Sequence, residues 1–367
     1  MNKNKNKNKN KTINYGYDRD SLSALEAITN AQKLAFAPML FQAALNLRES
    51  GILTLLDQAL KTGLSCTQIT ESCSLNEYAV QLLLDVGLSC HVVYQRDDLF
   101  FLAKTGHYLL HDTMTRVNMD FTQDVCYEGM FHLKKALETE TPVGLSVFGN
   151  WETIYPALSK LPKKAQDSWF AFDHFYSSAA FDSAFKHISI LKPKHIYDVG
   201  GNTGKWALCC VKNDPDVVVT ILDLPQQTSI ALTNISKEGF SERIKTYPVD
   251  LLKATKLPDQ ADIWWMSQFL DCFSEDQIMH ILTLIHQNMK DNSRICILET
   301  FWDRQPYEAG ALSLNASSLY FTCMANGNSR FYHSRVFYAC LHKAGFNIEQ
   351  DIDGLGIGHT LLICNKA

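Results

Sequence analysis

The sequence predicts an α/β protein, with an all-helical first half preceding a doubly wound, mostly parallel sheet that ends in an antiparallel strand. Three observations carry this. From Ser21 to about Leu110 apolar residues recur at three-and-four spacing, as in Leu34, Phe36, Met39, Leu40, Ala43, Ala44 and Leu47. After Pro193 short β-rich runs alternate with segments long enough for helices. One of those runs, His195 to Val199, leads into the glycine turn Gly200-Gly201-Asn202-Thr203-Gly204.

The order of elements follows from local chemistry. Met1 to Lys11 alternate Asn and Lys without an apolar segment, which predicts a disordered tail over residues 1–20 and neither a signal peptide nor an anchor. Residues 21–112 read as a helical winged-helix region. Ser65 supplies a hydroxyl suited to a helix N-cap, Asn76 to Val86 reads as a helix, and His91 to Tyr94 with Leu99 to Leu102 form a two-stranded wing around a turn at residues 95–98. A DNA-reading helix needs Lys or Arg, and Asn76 to Val86 contains neither. The region is therefore assigned to homodimerisation, with a DNA-binding regulator as the reading from another class. Residues 113–190 continue as helices, a linker and substrate lid, and include the aromatic stretch Trp169-Phe170-Ala171-Phe172-Asp173-His174-Phe175-Tyr176. Within 191–367, strands are expected at His195–Val199, Val217–Leu222, Ile244–Val249, Ala261–Met266 and Ile295–Leu298, with a helix from Glu275 to Met289. Phe346–Asp353 and Gly358–Cys364 form a closing hairpin.

Composition narrows the function. The 367 residues are 46% hydrophobic and 20% charged, enough apolar material for a packed core. With 34 Lys and Arg against 39 Asp and Glu, a net charge of −5 argues against a nucleic-acid partner. Eleven cysteines, an odd number without Cys-x-x-Cys spacing, fit reduced thiols in the cytoplasm. No run of about 18 apolar residues spans a bilayer. No His, Asp and Glu set has convincing ligand spacing, so no metal is expected.

The glycine turn carries the chemistry. Backbone amides there can approach a nucleotide without Cβ clashes, but Asn202 and Lys205 stand where a dinucleotide fingerprint needs glycines, which disfavours nicotinamide. Asp223, nineteen residues beyond Gly204 at the end of the second strand, can accept both hydroxyls of a ribose. Asp250-Leu251 after the third strand places an acceptor where the amine of an adenine would lie. The ordered set defines a mononucleoside site.

With these residues in place, the chain resembles the S-adenosylmethionine-dependent small-molecule O-methyltransferases of the plant caffeate and bacterial polyketide type, over nearly its whole length after the tail. The resemblance implies a Rossmann-like class I methyltransferase sheet, S-adenosylmethionine as cofactor, a homodimer and a small aromatic substrate. It further implies that Asp198, Gly200, Gly201, Asn202, Gly204, Asp223, Leu224, Asp250, Leu251, Ser267 and Gln268 line the cofactor pocket. Asn202 replaces a usual third glycine, a change Asn tolerates because it accepts positive φ.

The acid-base half departs from the family pattern. The family base is a histidine in Leu-His-Asp-Trp-Ser-Asp-Glu; here the counterpart is Leu270-Asp-Cys-Phe-Ser-Glu-Asp276, with Asp271 at the histidine position and Ser267 where a lysine is usual. A carboxylate can take a phenolic proton when burial raises its pKa. Glu299 matches the first of two carboxylates that orient the base, and the second falls near Phe331. Arg330, Tyr332 and His333 could grip an acidic substrate or provide another base, with His174 a further candidate. Trp169, Phe172, His174, Phe175, Tyr176, Met324 and Asn326 would shape the acceptor pocket. O-methylation of a phenolic hydroxyl is the expected activity. Aromatic C-methylation and cofactor binding without methyl transfer are the alternatives.

Overall fold

A computed structural model describes residues 12–258 and 261–367, and these divide into two compact units, one of residues 16–122 and one of residues 12–15 with the described residues from 123 to 367. The expected tail over residues 1–11 lies outside the described residues. Residues 12–15 are not a free tail. The Ile13 N–H donates to the carbonyl of Asp303 at 2.8 Å, the Thr12 hydroxyl to the Asp303 carboxylate at 3.0 Å, and the Tyr15 hydroxyl to the carbonyl of Gln305 at 2.5 Å. Residues 123–190 belong to the unit that holds the large sheet.

The 16–122 unit is helical with a wing. Its core gathers Leu47, Ile52, Leu53, Leu56, Ile69, Val80, Leu84, Val92, Val93 and Phe100. Ser65 caps the helix Cys66–Ser72 through a reciprocal pair with Gln68, and Asn76 caps Glu77–Ser89 by accepting from the Ala79 N–H. The wing pairs β1 (Val93–Arg96) with β2 (Leu99–Leu102) through Asp97 and Asp98, both at positive φ. It starts two residues later than expected, because His91 turns at φ 55 and sends Val92 N–H back to the Gly87 carbonyl. The first helix, Ala24–Ala35, has no buried residue, and Leu25, Ile28 and Leu34 stand largely exposed.

The second unit is built on a seven-stranded sheet of β3 (His195–Val199), β4 (Val218–Asp223), β5 (Ile244–Pro248), β6 (Ile263–Ser267), β7 (Arg294–Glu299), β8 (Phe346–Leu355) and β9 (His359–Lys366), in the order 5-4-3-6-7-9-8. The first five are parallel. β9 runs antiparallel to β7 and carries β8 outside it. Alternation along each strand builds both layers. Tyr197, Val199, Trp264, Met266, Ile295 and Ile297 face the layer of helices Glu275–Asn288 and Ser334–Lys343. Ile196, Trp265, Cys296 and Leu298 face helices Phe181–Ser189, Lys205–Asn213 and Pro225–Lys237. A strand covered on both sides reads as an unbroken apolar run, and each such side chain contributes about 1.5–3 kcal/mol on burial. Trp206 stacks on Trp265 with ring centroids 3.8 Å apart and planes 11° from parallel. All eleven cysteines are unbridged, and among the described residues no helix is long and apolar enough to cross a membrane.

Candidate active site

The carboxyl ends of β3, β4 and β6 open on a cavity of about 680 Å³. A smaller pocket lies beside it, and Gly200, Asn202, Asp173 and Gln268 line both.

The nucleotide-facing end is built on tight backbone. Gly200 has φ +73, and a Cβ there would stand 2.1 Å from the Phe269 ring; one at Gly201 would stand 2.6 Å from the Asp198 carboxylate. Neither position admits a side chain. Asn202 takes φ +48, and its N–H donates to one oxygen of Asp223 at 2.8 Å while the Leu224 N–H donates to the other at 2.7 Å. These bonds aim the Asp223 carboxylate into the cavity, where burial pushes its pKa up to about 6 against their lowering effect. Asp250, Leu251 and Leu224 line the same end, and Asp250 also pairs with Lys253 at 3.0 Å. Asp198, fully enclosed, is pushed up to about 8 by burial and then by Asp223.

Asp198 Oδ2, Asn202 Oδ1, Ser267 Oγ and Gln268 Oε1 are buried around the smaller pocket without hydrogen-bond partners. Orphaned buried oxygens are costly, and four converging acceptors match a ligand rich in N–H and O–H donors, such as an amino-acid ammonium. The residues present therefore fit a nucleoside joined to an amino acid.

The other end is aromatic and acidic. Asp271 is 3% exposed, follows β6 in a short helical turn, and lines the cavity with Oδ1 unpartnered. Burial pushes its pKa up to about 7; a hydrogen bond from Cys272 opposes this and Asp173 adds to it. Glu299, at the end of β7, lies behind the cavity. Its Oε1 accepts from the N–H groups of Phe269 and Leu270 at 3.2 and 3.0 Å, which fixes the turn carrying Asp271, and burial followed by Asp271 drives its own pKa far up. The side-chain NH2 of Asn326 donates to the carbonyl of Cys272 at 2.6 Å and to the hydroxyl of Ser329 at 2.8 Å. Trp169 donates its indole N–H to the Tyr320 hydroxyl at 2.6 Å, and both rings join Phe172, Tyr176, Tyr155, Phe321 and Phe331 in the wall.

Several expected residues stand elsewhere. The His333 imidazole accepts from the Arg335 N–H at 3.2 Å as a helix cap and lies 3.4 Å from the Asp303 carboxylate, outside both pockets. It is not placed to act as a base. Arg330 reaches Glu275 at 3.4 Å on the exposed surface, and Tyr332 donates to the carbonyl of Phe273 at 2.7 Å, so the expected grip on an acidic substrate is absent from the cavity. Met324 is packed against Gly129 and Gly144. Gly204, at φ +83, starts the helix Lys205–Asn213 without lining a pocket. Helical period explains the aromatic stretch: in Lys163–Ser178, residues 169, 172, 173 and 176 share one face, while 174 and 175 do not. His174 turns to the smaller pocket, its pKa pulled down to about 4 by burial and Lys205, and Phe175 packs edge-on against Tyr176. Asp173 was legible from this period and went unread, as did Tyr155 and Tyr320. One trio outside the cavity, Asp57, His107 and His111, brings three possible metal ligands together on the exposed surface of the 16–122 unit. The four-residue spacing of its histidines was the signal.

A glycine turn after β3, acids after β4 and β5, and a buried carboxyl facing an aromatic wall define a Rossmann-like, nucleoside-cofactor group-transfer enzyme. An O-methyltransferase domain matches residues 173–347, and a Dimerisation2-like domain matches residues 29–100. The chain belongs to the S-adenosylmethionine-dependent O-methyltransferases. It is 24% identical over 313 residues to the L-tyrosine C(3)-methyltransferase of Streptomyces lavendulae, covering 83% of this chain and 84% of that one. To the mitomycin biosynthesis 6-O-methyltransferase of Streptomyces lavendulae it is 23% identical, over 83% and 84% of the two chains. The fold is that of the S-adenosylmethionine-dependent methyltransferase SibL in its apo form, with a TM-score of 0.71 at 19% identity over 92% of this chain and 99% of that one.

Proposed function

We propose that the enzyme transfers a methyl group from S-adenosylmethionine to a hydroxyl of a small aromatic metabolite, and that Asp271 receives the acceptor's proton. The observation that carries this is Asp271 itself, a buried carboxyl with one oxygen unpartnered, lining the aromatic end of the cavity. A base whose pKa stands near the working pH combines a usable deprotonated fraction with proton affinity. Glu299 holds the turn that carries it.

The cofactor supplies an electrophilic methyl on a sulfonium. Asp223 would accept the ribose hydroxyls, Asp250 and Leu251 would border the base, and Asp198, Asn202, Ser267 and Gln268 would receive the amino-acid end. The aromatic wall excludes water and stacks the acceptor ring, which removes orientational freedom before transfer. A second reading, methylation of a ring carbon ortho to the phenol, draws support from the relative named for a tyrosine ring carbon. In that case Asp271 takes the same phenolic proton, the ring carbon bonds to the methyl as S-adenosylhomocysteine leaves, and the dienone so formed loses its ring proton to water and regains the phenolic one. A product that resists chemical O-demethylation distinguishes it.

We also propose that the enzyme works as a homodimer, with the unburied helix Ala24–Ala35 in the contact, and that it acts in the cytoplasm without binding nucleic acid. The test of the cofactor reading is calorimetric titration with S-adenosylmethionine, S-adenosylhomocysteine and NAD. Binding of the two sulfur nucleosides alone, lost in Asp223→Ala, is the expected result; NAD binding, or no binding, overturns it.

A further inference from the structure

The acceptor end of the cavity carries an uneven charge. Among the described residues, its wall contains the carboxyls Asp173 and Asp271 and no Lys, Arg or His; Lys253, the cation of the cavity lining, is paired with Asp250 at the nucleotide end, where Glu152 also acts on it.

Asp173 is set among rings. It shares the cavity-facing side of helix Lys163–Ser178 with Trp169, Phe172 and Tyr176, at three- and four-residue spacing. The rings of Phe172 and Tyr176 lie 4.8 Å apart, and the Trp169 N–H is already committed to Tyr320. A carboxylate that lines a cavity beside three aromatic side chains can recognise an ammonium, through a charge-assisted hydrogen bond and cation–π attraction together. His174, 3.9 Å from the Asp173 carboxylate, is neutral at pH 7, and Lys205, which lines the smaller pocket together with Asp173, draws the Asp173 pKa down against its burial. Asp271 gives an independent sign of a missing donor, being 3% exposed with Oδ1 unpartnered in the same cavity.

We propose that the acceptor is a phenol bearing a protonated amine, with the ammonium held by Asp173 among Trp169, Phe172 and Tyr176 and the phenol turned to Asp271. This rests on the methyltransferase reading above and adds the substrate's charge to it. A free carboxylate on the acceptor would meet two acids and no cation.

The test uses the full chain saturated with S-adenosylhomocysteine and three phenols of similar shape: tyramine, 4-ethylphenol and 3-(4-hydroxyphenyl)propanoate. Tyramine should bind about tenfold or more tightly than 4-ethylphenol, the size of one hydrogen bond to a charged group, with the propanoate weakest. Asp173→Asn should bring tyramine level with 4-ethylphenol, both measured with the S-adenosylhomocysteine site kept saturated. Tyramine binding no more tightly than 4-ethylphenol, or not at all, overturns the proposal in the wild-type protein alone. So does a loss of S-adenosylhomocysteine affinity in Asp173→Asn, which would assign that carboxylate to the cofactor. Failure of the wild-type protein to bind S-adenosylhomocysteine is a different result, seen before any phenol is added, and removes the underlying reading.

Discussion

On the proposed reading Asp271 serves the acceptor and Asp223 the cofactor within one cavity, so their substitutions should divide the kinetics between them. Asp271→Asn keeps shape and removes proton affinity; the expected result is a kcat lower by about 10²–10⁴, the usual weight of general-base catalysis, with affinity for S-adenosylhomocysteine unchanged. Single-turnover formation of S-adenosylhomocysteine reads this directly, and full activity in the variant removes Asp271 as the base. Because burial lifts the Asp271 pKa, activity should rise with pH through that raised value and not through the ordinary carboxylate range. Gly200→Ala is the complementary case: a Cβ 2.1 Å from the Phe269 ring at φ +73 forces the loop apart. Cofactor affinity should fall with it, as measured by calorimetry. That Asp223 and Asp250 share one cavity was legible from the order of the motif. Asp198 and Gln268 gain their meaning only from enclosure and an unusual backbone angle, φ +45 at Gln268, which a string of letters does not display.

At the scale of elements, strands and caps were readable because each depends on neighbours in the chain. β2 and β3 have the limits the alternation implies, and the other strands differ by no more than two residues at either end. Where the reading failed, contacts distant in sequence decided. His333 looked like a spare base and is a helix cap beside Asp303, which Thr12 and Ser334 also reach. Ser274 illustrates a cap with consequences for the site, since it starts Glu275–Asn288 two residues after Cys272 through a reciprocal bond with Gln277. Ser274→Ala should cost about 1 kcal/mol of stability, seen as a lower denaturant midpoint. The helix Ala24–Ala35 leaves Leu25 and Ile28 uncovered in one chain. Leu25→Asp with Ile28→Asp should convert the expected dimer to monomer in sedimentation velocity; an unchanged dimer would move the contact to another face.

For the molecule as a whole, the site places a concentration of buried carboxyls against the interior. Burial raises Asp173 and Asp223 to about 6, Asp271 to about 7 and Asp198 to about 8, and Glu299 moves in the same direction. The folded chain therefore holds protons that the unfolded chain releases. The stability tied to those protons is complete below the ordinary carboxylate value, roughly pH 4, and is lost as pH rises through 6 to 8. Chemical denaturation of the ligand-free protein at pH 5 and pH 8 should show that loss, and Asp198→Asn should flatten the difference. S-adenosylmethionine, bringing positive charge to these groups, should stabilise the protein more at pH 8 than at pH 5.

Trp206 lines the smaller pocket while its ring lies stacked on Trp265 at 3.8 Å. Two indoles at that separation share their excited states, so the pair has an optical signature of its own. A ligand entering beside Trp206 alters the surroundings of one partner and not the other, which splits their transitions unequally. The near-ultraviolet circular dichroism of the unlabelled enzyme becomes a built-in gauge of occupancy, readable without a coupled assay or a known acceptor.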